Sequence, residues 1–236
     1  MAVSAPHLSP AGIRFLQQLQ KNNDRDWFNA RKDVFVAELQ EPWLAMVEAV
    51  NHRFLEFAPD YARPARKAAL RIYRDIRFSK DKRPYKTNVA AWWSTTTTER
   101  TSGGGFYAHV SDKDVVVAAG VYMPLPPQLL AIRRHLQQHH AELREMLNGR
   151  ALRKLLPDFD NNPLTRMPKG FLPDDPAGEL LRCRQWALSA SIPLEMATSP
   201  KLLDEITKRF RAAAPFVALL NAPLLAATRS ARKSMF

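Results

Sequence analysis

The sequence predicts an α+β fold, in which an antiparallel or mixed sheet of about four to six strands packs against N-terminal and C-terminal helices. Three observations predict this class. Apolar residues recur at helical spacing in the first 58 residues, at every second position in much of 66–124, and at helical spacing again from Pro126. With 236 residues, of which 46% are hydrophobic, the chain is long enough for one large domain, and we expect a single domain over 1–236.

Residues 1–58 form the predicted helical block. Ser9 followed by Pro10 is typical of a helix start, and Asp24 can cap a second helix that carries Trp27 and Phe28. Pro42 opens a third helix, whose apolar residues repeat so that they form one buried stripe. That stripe contains Trp43, Met46, Val47, Val50, Phe54 and Phe57.

Alternation of apolar and polar residues predicts four strands in the centre of the chain, at 70–78, 89–97, 106–110 and 115–122. The polar turn at 111–114 joins the last two strands as an antiparallel hairpin. Because 115–121 is apolar on both faces, we expect that strand in the middle of the sheet.

Residues 125–228 are predicted to contain helices, a proline-rich irregular segment at 157–176 and a short strand at 185–191. Ser199-Pro200 begins a last helix, which we expect Pro215 to kink or end. The tail 229–236 is basic, and we expect it to fray.

Composition argues against several classes of protein. The single cysteine, Cys183, cannot form an intramolecular disulfide, which favours a reducing compartment and a cytoplasmic location. The longest apolar run, 115–123, is far shorter than the roughly 20 residues of a membrane helix, so we expect no membrane association. The eight glycines form neither a GxGxxG turn nor a GxxxxGK[ST] phosphate loop. No cofactor is predicted, and the oligomeric state is left open.

Basic residues are concentrated in one block. The chain carries 35 Lys and Arg against 23 Asp and Glu, a net charge of +12, and 66–86 alone holds nine Lys or Arg and two Asp. Because Lys and Arg bind phosphate and carboxylate groups, the first interpretation is a site for an anionic, phosphate-bearing small molecule, with enzymatic activity left open. The predicted anion-binding residues are Arg71, Tyr73, Arg77, Lys80, Lys82 and Lys86.

A strand over 70–78 would place Arg71, Tyr73, Asp75 and Arg77 on one face, over which the loop 79–86 can close. Arg74 would then lie on the apolar face, where its guanidinium must reach a carboxylate or several carbonyls. Arg74 and Asp75 are therefore candidates for a structural ion network. A register break near Asp75 is the competing explanation.

Two other functions use the same block. In the first, its cations contact the phosphates of nucleic acid, and an exposed aromatic residue, such as one of Trp92 and Trp93, stacks on a base. In the second, the block belongs to a structural or protein-interaction module. That interpretation predicts Arg71, Arg74 and Arg77 buried against protein carboxylates.

Five residues are weaker candidates. Asp75 and His109 are possible catalytic groups, and His109 is the better acid or base near neutral pH. His135 and His139 have the i, i+4 spacing that can chelate zinc, but a third ligand is not evident, so no metal site is predicted. Cys183 lies between two arginines that would lower the pKa of an exposed thiol, although a free cysteine is more often buried.

Two stretches of the sequence carry a family resemblance: NNDRDWF at 22–28 and RIYRDIRFSKDKRPYK at 71–86. Shorter ones are GFYAHV at 105–110, AGVYMP at 119–124 and PKGF at 168–171. Together they resemble a bacterial and fungal family of conserved hypothetical proteins, catalogued as domain of unknown function 2461. The resemblance covers nearly the whole chain in order, and it implies no reaction, cofactor or catalytic residue.

Overall fold

The computed structural model describes residues 5–95 and 103–233, with side chains described up to residue 226. Its contacts divide the chain into two compact units. The first comprises Met1–Trp93, Tyr107–Val117 and Ser191–Lys208, and the second comprises Ser94–Phe106, Ala118–Ala190 and Arg209–Phe236.

Helices α1 to α5 lie in the first unit, and α1 to α4 fall within the predicted helical block 1–58. They span Pro10–Lys21 (α1), Arg25–Asn29 (α2), Lys32–Phe35 (α3), Glu41–Phe57 (α4) and Ala65–Ala68 (α5), with a π-helical turn at Val36–Gln40 and a 3-10 turn at Pro59–Tyr61. The two predicted caps are present: Ser9 Oγ accepts a hydrogen bond from the Gly12 amide at 3.0 Å, and Asp24 Oδ1 accepts one from the Trp27 amide at 2.8 Å.

The predicted apolar stripe of α4 is buried from Trp43 to Phe54, and only Phe57 at its end is half-buried. The helical path begins earlier than Pro42, since α3 and the π-helical turn lead directly into α4. The proline lacks an N–H, and the helical hydrogen-bond pattern changes immediately before it.

The sheet contains six antiparallel strands in the order β1-β2-β3-β4-β6-β5, which confirms the α+β class. The strands span Ala69–Leu70 (β1), Asn88–Ser94 (β2), Gly105–Ser111 (β3), Asp114–Val121 (β4), Asp158–Asp160 (β5) and Trp186–Pro193 (β6). The predicted hairpin is confirmed as the adjacent pair β3 and β4, which has two strands on either side. Part of the predicted strand 89–97 lies outside the described residues.

The predicted strand over 70–78 is wrong. Only Ala69–Leu70 is a strand, paired with Ala90 and Ala91 of β2, and a single isolated bridge follows between Tyr73 and Tyr85. The amides of Arg77 and Arg83 donate to the carboxylates of Asp75 and Asp81, at 3.3 and 3.0 Å. These side chains satisfy donors that a longer strand would have given to a neighbour, so the chain turns instead.

The remaining helices span Pro126–Asn148 (α6), Arg150–Leu155 (α7), Gly178–Arg182 (α8) and Leu202–Lys233 (α9). The expected irregular segment 157–176 also contributes the short strand β5, which pairs with β6. Helix α9 does not end at Pro215. Flanking residues such as Ala213 and Phe216 are buried, and their packing outweighs the roughly 3 kcal/mol that an internal proline costs.

Within the part of the chain that the structure describes, no helix is long and apolar enough to cross a membrane. The basic tail is helical as far as Lys233, and the rest of it lies outside the described residues.

Candidate functional site

A cavity of about 380 Å³ opens in the first unit, at the start of the basic block. Residues from α2, α3, α4 and α5 line it, together with β1, the start of β2 and the segment 71–73. This volume lies within the usual range for small-molecule sites, roughly 300–1,000 Å³. We call it the aromatic cavity, because its lining includes Phe28, Phe35, Trp43 and Tyr73.

Three cations line the aromatic cavity, and none of its lining residues is acidic. Lys32 begins α3, Arg66 belongs to α5, and Arg71 follows β1. Arg66 has one carboxylate nearby, with Nη2 3.6 Å from Oε1 of Glu41 in an exposed pair. Lys32 and Arg71 have no carboxylate within 4 Å among the residues that the structure describes. The lining therefore carries uncompensated positive charge.

Trp43 supplies an unusual polar group to the cavity wall. The residue is 3% exposed, and its indole Nε1 is buried with no hydrogen-bond acceptor. A buried donor without a partner costs on the order of 1–3 kcal/mol, so most such groups in native proteins are satisfied. An acceptor that entered the cavity beside this ring would recover part of that cost.

Packing behind the aromatic wall fixes its position. Phe28 is 1% exposed, and its ring stacks on Tyr85 with centroids 4.0 Å apart. It also meets Tyr73 edge to face at 6.3 Å and contacts Phe35 at 5.2 Å. Because these rings hold one another, the wall does not depend on a ligand for its shape.

A second cavity, of about 230 Å³, is lined by Arg74, Arg83 and Lys86, among others. Asp81 also lines it and forms ion pairs with Arg74 and Arg83, each with a shortest distance of 2.8 Å. These pairs offset part of the positive charge, so this cavity is a weaker anion site than the first.

Residues 74–84 form a loop whose ends are held together. The Arg74 amide donates to the Pro84 carbonyl at 2.9 Å, and the Lys86 amide donates to the Ile72 carbonyl at 2.8 Å. Inside the loop, the ammonium of Lys82 donates to the Ile76 carbonyl at 3.1 Å. We call this segment the 74–84 loop.

Both carboxylates of the 74–84 loop are held ionised by arginines. The guanidinium of Arg77 binds Asp75 at 2.7 Å and lowers the pKa of that carboxyl to about 2. Hydrogen bonds from Arg83, and then from Arg74, hold the pKa of Asp81 well below its usual range. Asp75 is therefore an ionised partner of Arg77 near neutral pH, and it has no proton to donate there.

The structure divides the predicted anion-binding residues among three places. Arg71 and Tyr73 line the aromatic cavity, and Lys86 lines the second cavity. Arg77, Lys80 and Lys82 lie in the 74–84 loop and line neither of these two cavities. The expected closure of 79–86 over one strand face is wrong, because that face required the strand 70–78.

The guanidinium of Arg74 reaches the carboxylate of Asp81 and also donates to the Arg83 carbonyl at 3.0 Å. Asp75, the other residue of the predicted network, forms an ion pair with Arg77. Arg71 and Arg77 are not buried against carboxylates, whereas the structural interpretation expects them to be. The Arg77 side chain is 76% exposed, and Arg71 is also exposed.

His109 lies on β3 and lines neither of the two cavities. Its Nδ1 is 3.0 Å from the hydroxyl of Tyr107, and its Nε2 is 3.8 Å from a carboxylate oxygen of Asp114. Burial lowers the pKa of His109 and raises the pKa of Tyr107 to about 12. Asp114 also accepts hydrogen bonds from Ser111 and Ser191. These contacts make His109 part of a polar network within the first unit.

The other weak candidates lie in the second unit. The rings of His135 and His139 stack with centroids 4.1 Å apart, and His139 Nδ1 is 3.4 Å from Glu142. Over 5–95 and 103–226, no group of three His, Cys, Asp or Glu is arranged to hold a metal ion. Cys183 is buried, and burial raises the pKa of its thiol to about 11. Such a thiol is a poor nucleophile near neutral pH.

Sequence patterns did not single out Lys32, Arg66, Phe28 or Trp43 as site residues. Arg66 belongs to the basic block and Phe28 to the segment 22–28, so composition and resemblance contained a signal for these two. Lys32 lies at a helix start outside the basic block, and Trp43 is part of a regular core stripe. Only the tertiary structure shows that they reach the same cavity.

Comparison with known proteins identifies the family of the chain. A family model described as a conserved hypothetical protein (DUF2461) matches residues 11–218, a range that contains both cavities and the 74–84 loop. No curated protein matches the chain. Because the matched range covers most of the sequence, the chain belongs to this family of conserved hypothetical proteins.

Proposed function

We propose that the protein binds an anionic, phosphate-bearing small molecule in the aromatic cavity. One observation carries the proposal: Lys32, Arg66 and Arg71 reach a single concave cavity whose lining contains no acidic residue. Like charges in one cavity repel each other, whereas a bound phosphate would attract each of them and offset that repulsion. Arginine is suited to the task because its planar guanidinium can hold two phosphate oxygens at once.

The aromatic lining indicates the rest of the ligand. Phe28, Phe35 and Tyr73 offer ring faces and edges beside the cations, which suits a flat or apolar group attached to the phosphate. The unpaired indole N–H of Trp43 adds a donor for an acceptor atom of the ligand, such as an oxygen of its phosphate. The proposal is limited to binding, because the described lining residues supply cations and rings but no carboxylate, thiol or imidazole.

Isothermal titration calorimetry with three probes tests this proposal. Phenyl phosphate carries both halves of the expected ligand, inorganic phosphate carries the anion alone, and phenol carries the ring alone. We expect phenyl phosphate to bind more tightly than either half. Arg71→Ala or Lys32→Ala should weaken its binding about tenfold or more, the usual effect of losing a hydrogen bond between charged groups.

Arg77→Ala is the matched control. Arg77 belongs to the same block but lines neither of the two cavities, and its side chain is 76% exposed. This variant should bind phenyl phosphate like the unchanged protein. The proposal is wrong if Arg71→Ala leaves the affinity unchanged, or if phenyl phosphate binds no better than phenol.

A further inference from the structure

Phe78 is the most exposed large hydrophobic residue that the structure describes, at 95%. It lies in the 74–84 loop between Arg77 and Ser79, beyond the bridge that closes the loop. A single exposed apolar residue is common on protein surfaces, so the exposure of Phe78 points to a partner only together with the charges beside it. Its position suits contact with another molecule.

The shape of the 74–84 loop does not depend on Phe78. Asp75 binds both the amide and the guanidinium of Arg77, and Asp81 does the same for Arg83. These contacts hold the backbone on both sides of the tip. Replacing a ring that is 95% exposed therefore removes almost no packing, and variants of Phe78 should fold normally.

The charges around Phe78 attract anions. The loop contains five cations and two carboxylates, and both carboxylates are bound to arginines. Lys80 and Lys82 are exposed and have no carboxylate within 4 Å among the residues described. Lys82 uses one of its three hydrogens on the Ile76 carbonyl, so two remain for a partner. The guanidinium carbon of Arg77 is 5.8 Å from the centre of the Phe78 ring.

We propose that the 74–84 loop binds single-stranded nucleic acid, with Phe78 stacked on a base and with Lys80 and Lys82 contacting the flanking phosphates. Single strands are bound by this combination of a ring and mobile cations, since every base offers a flat face beside a charged backbone. The proposal is independent of the aromatic cavity, because Phe78, Lys80 and Lys82 do not line it.

An anionic bilayer is the alternative partner with matching charge, but the apolar surface is too small for it. Phe78 is flanked by Arg77 and Ser79, so the tip offers one ring to the lipid interior. Stable attachment to a bilayer normally takes a larger apolar face or a second anchoring signal. Stacking on a base needs only the one ring that the loop displays.

Fluorescence anisotropy of a labelled oligothymidylate of about 15 nucleotides, with an oligouridylate beside it, tests the proposal. Phe78→Ala should weaken binding about tenfold. Phe78→Trp should restore it, because indole also stacks, whereas Phe78→Leu should resemble Phe78→Ala, because leucine has no flat face. Leu172→Ala, which removes another exposed apolar side chain at 69% exposure, should leave the affinity unchanged.

A salt series separates the cations from the ring. In Lys80→Ala/Lys82→Ala, the slope of log affinity against log salt should fall by about 1.4, since each phosphate contact on a single strand contributes about 0.7. Phe78→Ala should keep the original slope. Arg71→Ala should keep both affinity and slope, so a failure of the small-molecule proposal would not resemble a failure of this one.

Three results would overturn the proposal. The first is that neither oligonucleotide binds, or that Phe78→Ala binds them as tightly as the unchanged protein does. The second is equal binding by Phe78→Leu and Phe78→Trp, since that would show apolar burial in place of stacking. The third is sedimentation with vesicles of phosphatidylserine and phosphatidylcholine, dependent on Phe78, in a protein that does not bind either oligonucleotide.

Discussion

The aromatic cavity and the 74–84 loop both contain residues of the basic block 66–86, yet nearby carboxylates neutralise their cations to different extents. Arg71 and Lys32, which are far apart in sequence, both line the cavity, and none of its lining residues is acidic. In the loop, two aspartates from the same segment already bind three of the five cations. A high local charge therefore says little about a site until the nearest carboxylates are known.

The rings of the two regions differ as much as the charges do. Phe28 and Trp43 are buried in the cavity wall, whereas Phe78 is exposed at the loop. A recessed ring favours a ligand small enough to enter a concave space, and a displayed ring favours a partner too large to enter one. The two regions consequently suit different sizes of anion.

The strongest test of this contrast is the removal of the ring that joins the two regions. Phe28 lines the cavity and stacks on Tyr85 at the base of the loop. Phe28→Ala should lower the free energy of unfolding, measured by urea denaturation, by about 3–5 kcal/mol, as expected for a buried phenylalanine. Phe78→Ala should change it by less than about 0.5 kcal/mol. Similar losses in both variants would contradict the contrast between recessed and displayed rings.

The second test concerns the unpaired donor in the cavity wall. Trp43 and Trp93 are both buried, but only Trp93 has an acceptor for its indole N–H, Asn51 Oδ1 at 3.1 Å. Trp93→Phe breaks this bond and leaves a buried amide oxygen with one partner fewer, which should cost about 1–3 kcal/mol beyond the lost packing. Trp43→Phe has the same loss of ring size without that cost.

Urea denaturation of the ligand-free variants checks this difference, and calorimetry with phenyl phosphate completes the test. Trp43→Phe should weaken the binding of phenyl phosphate about fivefold, within the range expected for the loss of one net hydrogen bond. Trp93→Phe should leave that affinity unchanged. A greater loss of stability in Trp43→Phe than in Trp93→Phe would show that its indole N–H has a partner in solution.

The smallest expected effect is the pH dependence of stability. It depends on the polar network around His109 and not on the cavity or the loop. Burial lowers the pKa of His109 from its ordinary 6.5, so the unfolded chain takes up a proton at a higher pH than the folded protein does. Stability should therefore fall as the pH drops below about 6.5, until the folded protein is protonated as well.

Melting temperatures between pH 7.5 and 5 measure this effect. His109→Gln should lose less stability over the interval than the unchanged protein, and His135, whose pKa burial also lowers, should account for part of the remainder. Asp75→Asn should not alter the slope, because the pKa of Asp75 is held near 2, far below the interval. If His109→Gln has the same slope of melting temperature against pH as the unchanged protein, groups other than His109 cause the loss of stability in acid.

Local signals predicted much of the fold because they act over a few residues. Ser9 and Asp24 cap the helices that they were expected to cap, and the stripe from Trp43 to Phe54 is buried as its spacing indicates. The hairpin of β3 and β4 follows from two apolar runs joined by a polar turn. Each of these predictions depends on residues that are close in sequence.

The strand predicted at 70–78 failed because alternation alone does not make a strand. Arg71 and Tyr73 are exposed and Ile72 is buried, as in a strand, but two aspartates bind amides that a neighbouring strand would need. The aromatic cavity could not be predicted from the sequence for another reason. Its walls bring together residues from 28 to 89, and no periodicity indicates which faces of those elements meet.

The closure of the 74–84 loop at its base has a consequence for protein engineering. The two backbone hydrogen bonds of the Tyr73–Tyr85 bridge hold the two ends of the loop together, so the residues between them can be replaced as a unit. Loops with fixed, adjacent ends tolerate changes of length and content at little entropic cost. A shorter turn or a foreign recognition loop grafted between Arg74 and Pro84 should leave the surrounding scaffold intact.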